Sequence, residues 1–167
     1  MTYAADLHIH SSYARSTSRE LNFENLARWA KIKGIDLLAT GDFTHPAWFA
    51  EMSAKLQDTD DGLFELNGAK FVLGTELNCN GPQGGRNRRI HMLAFAPSLE
   101  TVGQINKALA RRSNSLESDG RPTIHMTPRE LVSTLMDIDE RCIIIPAHVW
   151  TPWFGMYGSK SGFDSLE

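Results

Sequence analysis

Apolar and polar positions divide the chain into short apolar runs separated by stretches of helical period. Residues 3–10 form the first run, which ends in Asp6-Leu7-His8-Ile9-His10 and reads as a strand. A polar stretch rich in serine, residues 11–20, reads as a loop. Phe23, Leu26, Ala27 and Ala30 then recur at helical spacing, with Asn22 placed to cap the helix and Gly34 to end it. Residues 35–40 are a second, buried strand. Strand, helix and strand with short joints predict a βαβ unit whose strands are parallel.

Beyond it, Pro46 to about Leu56 reads as a helix with Trp48, Phe49, Met52 and Leu56 on its apolar face. Residues 58–62 are an acidic loop. Residues 71–78 and 90–96 are the third and fourth strands. The glycine-rich basic stretch 81–89 joins them as the loop of a long hairpin. Ser98 caps a helix running to about Arg112, and residues 113–121 form a polar connection. Thr127-Pro128-Arg129-Glu130 is a helix start, with an N-cap threonine, a proline in the first turn and a glutamate that closes a capping box. That helix ends near Asp139. Residues 142–147 are a fifth strand, apolar throughout as a strand buried on both faces would be. The tail holds Trp150, Trp153, Phe154, Tyr157 and Phe163 among glycines and serines, with no strand after it. Its simplest account is a sequence that stops partway through a larger domain.

Composition narrows this picture little. With 167 residues, 41% hydrophobic and 22% charged, the chain reads as one soluble globular domain over residues 1–167. The net charge of -3 requires any nucleic-acid contact to come from a local basic patch. Cys79 and Cys142 lie far apart, in no CxxC pattern, and fit a reducing cytoplasm. No leader pattern and no run long enough to span a bilayer is seen, so no membrane is expected as a partner.

The chemistry gathers at strand ends, where α/β folds place ligands. His8 and His10 end the first strand, Asp42 follows the second, Glu76 lies near the end of the third and His148 follows the fifth. His91 opens the fourth strand, and the hairpin sets it beside Glu76. Each has a bland reading: a solvent-facing hairpin residue for His91, a surface carboxylate for Glu76, a satisfied loop histidine for His148. Their convergence on one rim is harder to explain as packing. A carboxylate that bridges two cations, with imidazoles filling out each ion, is the recipe for a two-metal hydrolytic site. Imidazole donors favour zinc, manganese or iron over magnesium or calcium. His45 can be a ligand, a substrate contact or a helix cap, and His125 reads as structural or solvent-exposed. Arg86, Arg88 and Arg89 can be plainly solvated or can bind phosphate, with Arg15, Lys160 and Arg121 adding to them.

These residues carry a resemblance. Asp6-Leu7-His8-Ile9-His10-Ser11, the Gly41-Asp42 pair, Gly74-Thr75-Glu76, His91 and Pro146-Ala147-His148 resemble the PHP (polymerase and histidinol phosphatase) superfamily. Within it, residues 39–48, 146–153 and 158–164 look like the endonuclease Q family. The resemblance implies an α/β fold of distorted β/α-barrel type. About five of seven barrel strands would be present here, and the barrel would be incomplete at the C-terminus. It implies a hydrolase that cuts DNA 5′ to deaminated bases such as uracil and hypoxanthine, or to abasic sites. His8, His10 and Glu76 would hold one ion, and Glu76, His91 and His148 a second, with Asp42 in the catalytic set. Arg15, His45, Arg86, Arg88, Arg89 and Lys160 would contact substrate phosphate.

Three departures matter. Arg15 stands where many PHP proteins have an acidic or imidazole ligand, and Gly41-Asp42-Phe43 replaces Thr-Asp-His. Both fall on a third-metal site, so two divalent ions, zinc first, are expected. The family's last metal-binding Asp would lie past Glu167. Damaged DNA and the missing C-terminal part of the same protein are therefore the expected partners, and the isolated chain is expected to be inactive. The alternatives are a PHP phosphoesterase for small phosphate esters and a non-catalytic PHP module.

Overall fold

The computed structural model describes residues 2–165. Strand β1 (Ala5–Asp6) leads through a long loop to helix α1 (Phe23–Lys33), and β2 (Leu37–Ala39) follows. The Asn22 side chain accepts from Asn25 N at 2.9 Å, and Gly34 closes α1 in the left-handed region at φ 69°. β1 and β2 are parallel, as the βαβ pattern requires. The expected first strand, residues 3–10, is far shorter in fact. Pairing stops at Asp6, and the chain after it turns toward Glu76 and Asp42 instead of continuing the ladder.

Helix α2 (Pro46–Lys55) follows, with Trp48 and Met52 wholly buried. Trp48 stacks on Phe23 with ring centroids 3.9 Å apart, and its indole N–H donates to Gly41 O at 2.8 Å. The acidic loop then proves to be part of a small hairpin. β3 (Gln57–Asp58) pairs antiparallel with β4 (Phe64–Leu66), which pairs in turn with β5 (Ala69–Gln83). Asn67 (φ 52°) and Gly68 (φ 74°) make the tight turn from β4 to β5.

The long hairpin is longer than its pattern predicts. β5 has 15 residues, and β6 (Arg86–Ala96) has 11. Only Gly84 (φ 61°) and Gly85 (φ 71°) lie between them, a two-residue turn with both residues left-handed. The stretch 81–89 is therefore mostly paired strand. His91 lies in mid-strand opposite Asn78, and Glu76 opposite Leu93. The two are thus diagonal neighbours on one face.

Helix α3 (Leu99–Ala110), strand β7 (Thr123–Ile124), helix α4 (Pro128–Ile138) and strand β8 (Ile143–Pro146) complete the elements. Both arms of the Thr127–Glu130 capping box are made. β7 adds parallel to β5, and β8 adds antiparallel to β6. The result is a mixed α/β structure on an open eight-stranded sheet. The α/β class matches the expectation, and in place of the expected partial barrel the sheet is open, not closing on itself among the described residues. The fifth expected strand, β8, is not buried on both faces: Ile143 is 59% exposed and Ile145 41%. Its backbone pairs with β6 alone among the described residues.

The tail folds back over the hairpin in tight turns, with Gly162 N donating to Gly158 O and Phe163 N to Met156 O. Arg88 holds it there, its guanidinium donating to Gly162 O and to the Asp164 carboxylate. Phe163 packs against the core, whereas Trp150 and Trp153 stay exposed. No helix among the described residues is long and apolar enough to cross a membrane.

Candidate metal centre

Glu76 sits on β5 with its side chain only 1% exposed. Its two oxygens face two pairs of imidazoles. Oε2 lies 3.2 Å from His8 Nε2 and 3.1 Å from His10 Nε2. Oε1 lies 2.9 Å from His91 Nδ1 and 3.1 Å from His148 Nε2. The sheet brings these groups together: His8 and His10 leave β1, His91 stands on β6, and His148 follows β8. All donor atoms within each group, His8–His10–Glu76 and Glu76–His91–His148, lie within 4.8 Å of one another.

This geometry fits divalent cations. Donors on a tetrahedral ion with bonds of ~2.0–2.1 Å stand roughly 3.3 Å apart, close to the separations seen here. The tautomer of His148 strengthens the fit. Thr151 Oγ1 donates its hydrogen to the carbonyl of His148 or Trp153, at 2.9 and 2.8 Å, so it accepts from His148 Nδ1 at 2.9 Å. Nε2 then carries a lone pair that faces Glu76 Oε1 and the His91 ring nitrogen 3.1 Å away. A cation would take this lone pair together with Glu76 Oε1 and His91 Nδ1. Burial favours neutral imidazole at His91, holding its pKa below the usual value. Phe154 stacks on that ring at 4.4 Å.

Asp42 supports the other side. It is fully buried, and its Oδ1 meets His10 Nδ1 at 2.9 Å while Oδ2 accepts from Ser11 N and Oγ at 2.6 and 2.7 Å. His10 therefore spans two carboxylates. The bond to Asp42, then the one to Glu76, raises its pKa to about 9. For Glu76, burial pushes the pKa up, but hydrogen bonds from His10, His8 and His91 outweigh it and hold the carboxyl well below its usual range. Gly41 (φ 65°) allows the approach of Asp42, since a Cβ there would lie 2.6 Å from Ile9 O. Asp42 (φ 49°) and His148 (φ 29°) both hold left-handed backbone. Such conformations cost non-glycine residues on the order of 1–3 kcal/mol and gather at functional sites.

The residues expected to contact phosphate divide. Arg86, Arg89 and Lys160 are exposed, and Arg15 is exposed with its Nε 3.5 Å from Asp119. Arg88 is buried and engaged with the tail. His45 is 7% exposed, stacked on Tyr13 at 4.3 Å, with Nε2 3.1 Å from Glu117 O. It stands at the N-cap of α2 but makes no side-chain cap bond. His125 is exposed and bonded to Asn114. The pattern of the sequence did not single out Ser11, Thr151 or Phe154, which orient the imidazoles. Their closeness in sequence to His10 and His148 was the available signal.

No family model matches the chain. It is 29% identical over 147 residues to an uncharacterised protein of Methanocaldococcus jannaschii, covering 88% of this chain and 16% of that one. It is 27% identical over 177 residues to an uncharacterised protein of Bacillus subtilis, covering 92% and 42%. Fold and site together resemble the PHP superfamily of metal-dependent hydrolases. Within it the likeness is to endonuclease Q. The crystal structure of the lesion-specific endonuclease Q from Pyrococcus furiosus superposes with a TM-score of 0.85 at 36% identity, over 99% of this chain and 38% of that one. An endonuclease Q complex with a 27-mer duplex carrying an abasic lesion at the active site matches with the same score and identity over 97% of this chain. The chain thus spans less than half the length of each of these relatives.

Proposed function

We propose that this chain carries the metal-dependent phosphodiesterase site of a DNA-repair endonuclease, which cuts 5′ to deaminated bases (uracil, hypoxanthine) or to abasic sites. The observation that carries the reading is the division of the two Glu76 oxygens between two imidazole pairs. The likeness to a lesion-specific endonuclease over 99% of the chain supports it.

In this reading His8, His10 and Glu76 hold one divalent ion, and Glu76, His91 and His148 hold the other. Nitrogen and oxygen donors in this ratio suit zinc, with manganese or iron as substitutes. Bound cations supply Lewis-acid stabilisation of the charge that develops on a phosphoryl group. The protein supplies orientation. Asp42 keeps the Nδ1 proton of His10, so that Nε2 faces inward, and Thr151 does the same for His148. Phe154 covers one face of His91, limiting its contact with water. An aspartate from sequence following Glu167 is proposed as the remaining ligand of the first group, and strands from the same region would close the barrel. The buried free thiols Cys79 and Cys142 agree with a cytoplasmic location.

The test uses a chain extended to the length of its relatives and loaded with zinc or manganese. Duplexes containing uracil, hypoxanthine or an abasic site should be nicked, and undamaged duplex should not. Equal turnover of small phosphate monoesters without lesion preference would replace this reading with that of a general phosphoesterase.

A further inference from the structure

Arg121 also reaches Glu76. Its Nη1 donates to Glu76 Oε2 at 3.2 Å, the same oxygen that His8 and His10 approach. We infer that Arg121 is a phosphate-binding residue of this centre and grips the phosphate group on which the centre acts. The inference rests on the phosphodiesterase reading above.

Arginine stays protonated in proteins and cannot ligate a metal. A cation held by His8, His10 and Glu76 would claim Oε2 and set a like charge beside the guanidinium. An anion between them relieves both charges. The remaining guanidinium donors suit this use, since the Arg121 side chain is 36% exposed while Glu76 is buried. The planar fork matches two oxygens of one phosphate.

The loop that carries Arg121 is fixed in place. Arg121 N donates to Asp119 Oδ1 at 3.1 Å, and Gly120 N donates to Tyr13 O at 3.0 Å. Gly120 approaches Asp42 so closely that a Cβ would lie 2.4 Å from Oδ2. Arg15 reaches the same Asp119, its N at 3.2 Å and its Nε at 3.5 Å. Arg15 and Arg121 thus line one concavity of about 190 Å³ with Ser113, Ser115, Ser118 and Asp119. Its one carboxylate is already paired with Arg15. Arg88, from the basic hairpin, is spent on the tail, so the guanidinium at the centre comes from the loop before β7.

The test compares the parent chain with Arg121→Ala and Arg121→Lys, each loaded with zinc, using inorganic phosphate titrated calorimetrically and an abasic duplex. Arg121→Ala should keep the parent's metal content and lose at least tenfold in phosphate affinity. The slope of log K against log salt for the duplex should fall by about one, as for the loss of one phosphate contact. Arg121→Lys should restore the slope but only part of the phosphate affinity, because it keeps the charge and loses the fork. Loss of metal from Arg121→Ala, or phosphate affinity and salt slope equal to the parent's, would overturn the inference in favour of a structural pairing with Glu76. A parent that binds phosphate through Arg121, but never nicks lesion-containing DNA even when extended to the length of its relatives, would leave the inference standing and remove the nuclease reading.

Discussion

Asp42 Oδ1 and His10 Nδ1 lie 2.9 Å apart, and this contact decides which nitrogen of His10 faces Glu76. Asp42→Asn keeps the size of the side chain but offers a neutral oxygen or an N–H to the imidazole. Loss of such an orienting carboxylate typically costs about 10–100-fold in metal affinity. Zinc titration of Asp42→Asn against a competing chelator should show a loss in that range, with an unchanged far-UV spectrum.

Glu76 serves both histidine pairs, so its replacement should cost more than that of any one histidine. Glu76→Ala, measured by elemental analysis after dialysis, should lose metal from both groups. His8→Ala and His148→Ala should each lose chiefly the ion of their own group. A Glu76→Ala protein that retained as much metal as His8→Ala would contradict a bridging role.

Arg88 is a fastener. Hydrogen bonds to charged groups contribute ~1.5–3 kcal/mol, and Asp164 is exposed, which favours the lower end. Arg88→Ala should lower stability by about 1–2 kcal/mol. Hydrogen exchange should speed up selectively over residues 153–165 and leave helix α1 unchanged.

Cys79 lies wholly inside the core, and burial pushes its thiol up to about 12. An unfolded cysteine ionises near ~8.5. The folded form is thus favoured in full below about pH 8.5, and that stability is lost as pH rises from there toward 12, by up to ~1.4 kcal/mol per pH unit. Denaturant melts at pH 8, 9 and 10 should show the decline begin near pH 9, and Cys79→Ala should remove this component. Thiol labelling at pH 8 should proceed only as fast as the chain opens.

Local patterns made the helices legible. Asn22, Ser98 and Thr127 each cap a helix at the expected start, because capping depends on residues within one turn. His8, His10 and His148 were legible as groups at strand ends, whereas Glu76 and His91 lie in mid-strand and join them as diagonal neighbours across the hairpin. Strand lengths were not. β1 shrinks because residues 7–10 are drawn to Glu76 and Asp42, contacts invisible in a local window. The basic stretch 81–89 carries the composition of a loop, yet register with β6 holds it as strand up to Gly84. The Asn67-Gly68 pair was a turn signal that would have found β4. The fates of Arg88 and Arg121 depend on residues 74 and 45 positions away, beyond the reach of any sequence window.

In the branched sheet β1 is an edge strand paired with β2 alone, β8 is another paired with β6 alone, and β5 lies between them. His8 and His10 hang from the first edge, His148 from the second, and Glu76 from the middle. Cations shared by these groups would act as a clasp across the fold. Each would bind only after segments about seventy residues apart have met, so the unfolded chain would have little hold on them. Mass action then turns occupancy into mechanical cohesion: at a free metal concentration 100 times Kd, the folded form gains about 2.7 kcal/mol. The same ions that prepare the centre for chemistry would thereby draw the two loose margins of the sheet toward each other, and removing them with a chelator should slacken the molecule from its edges inward.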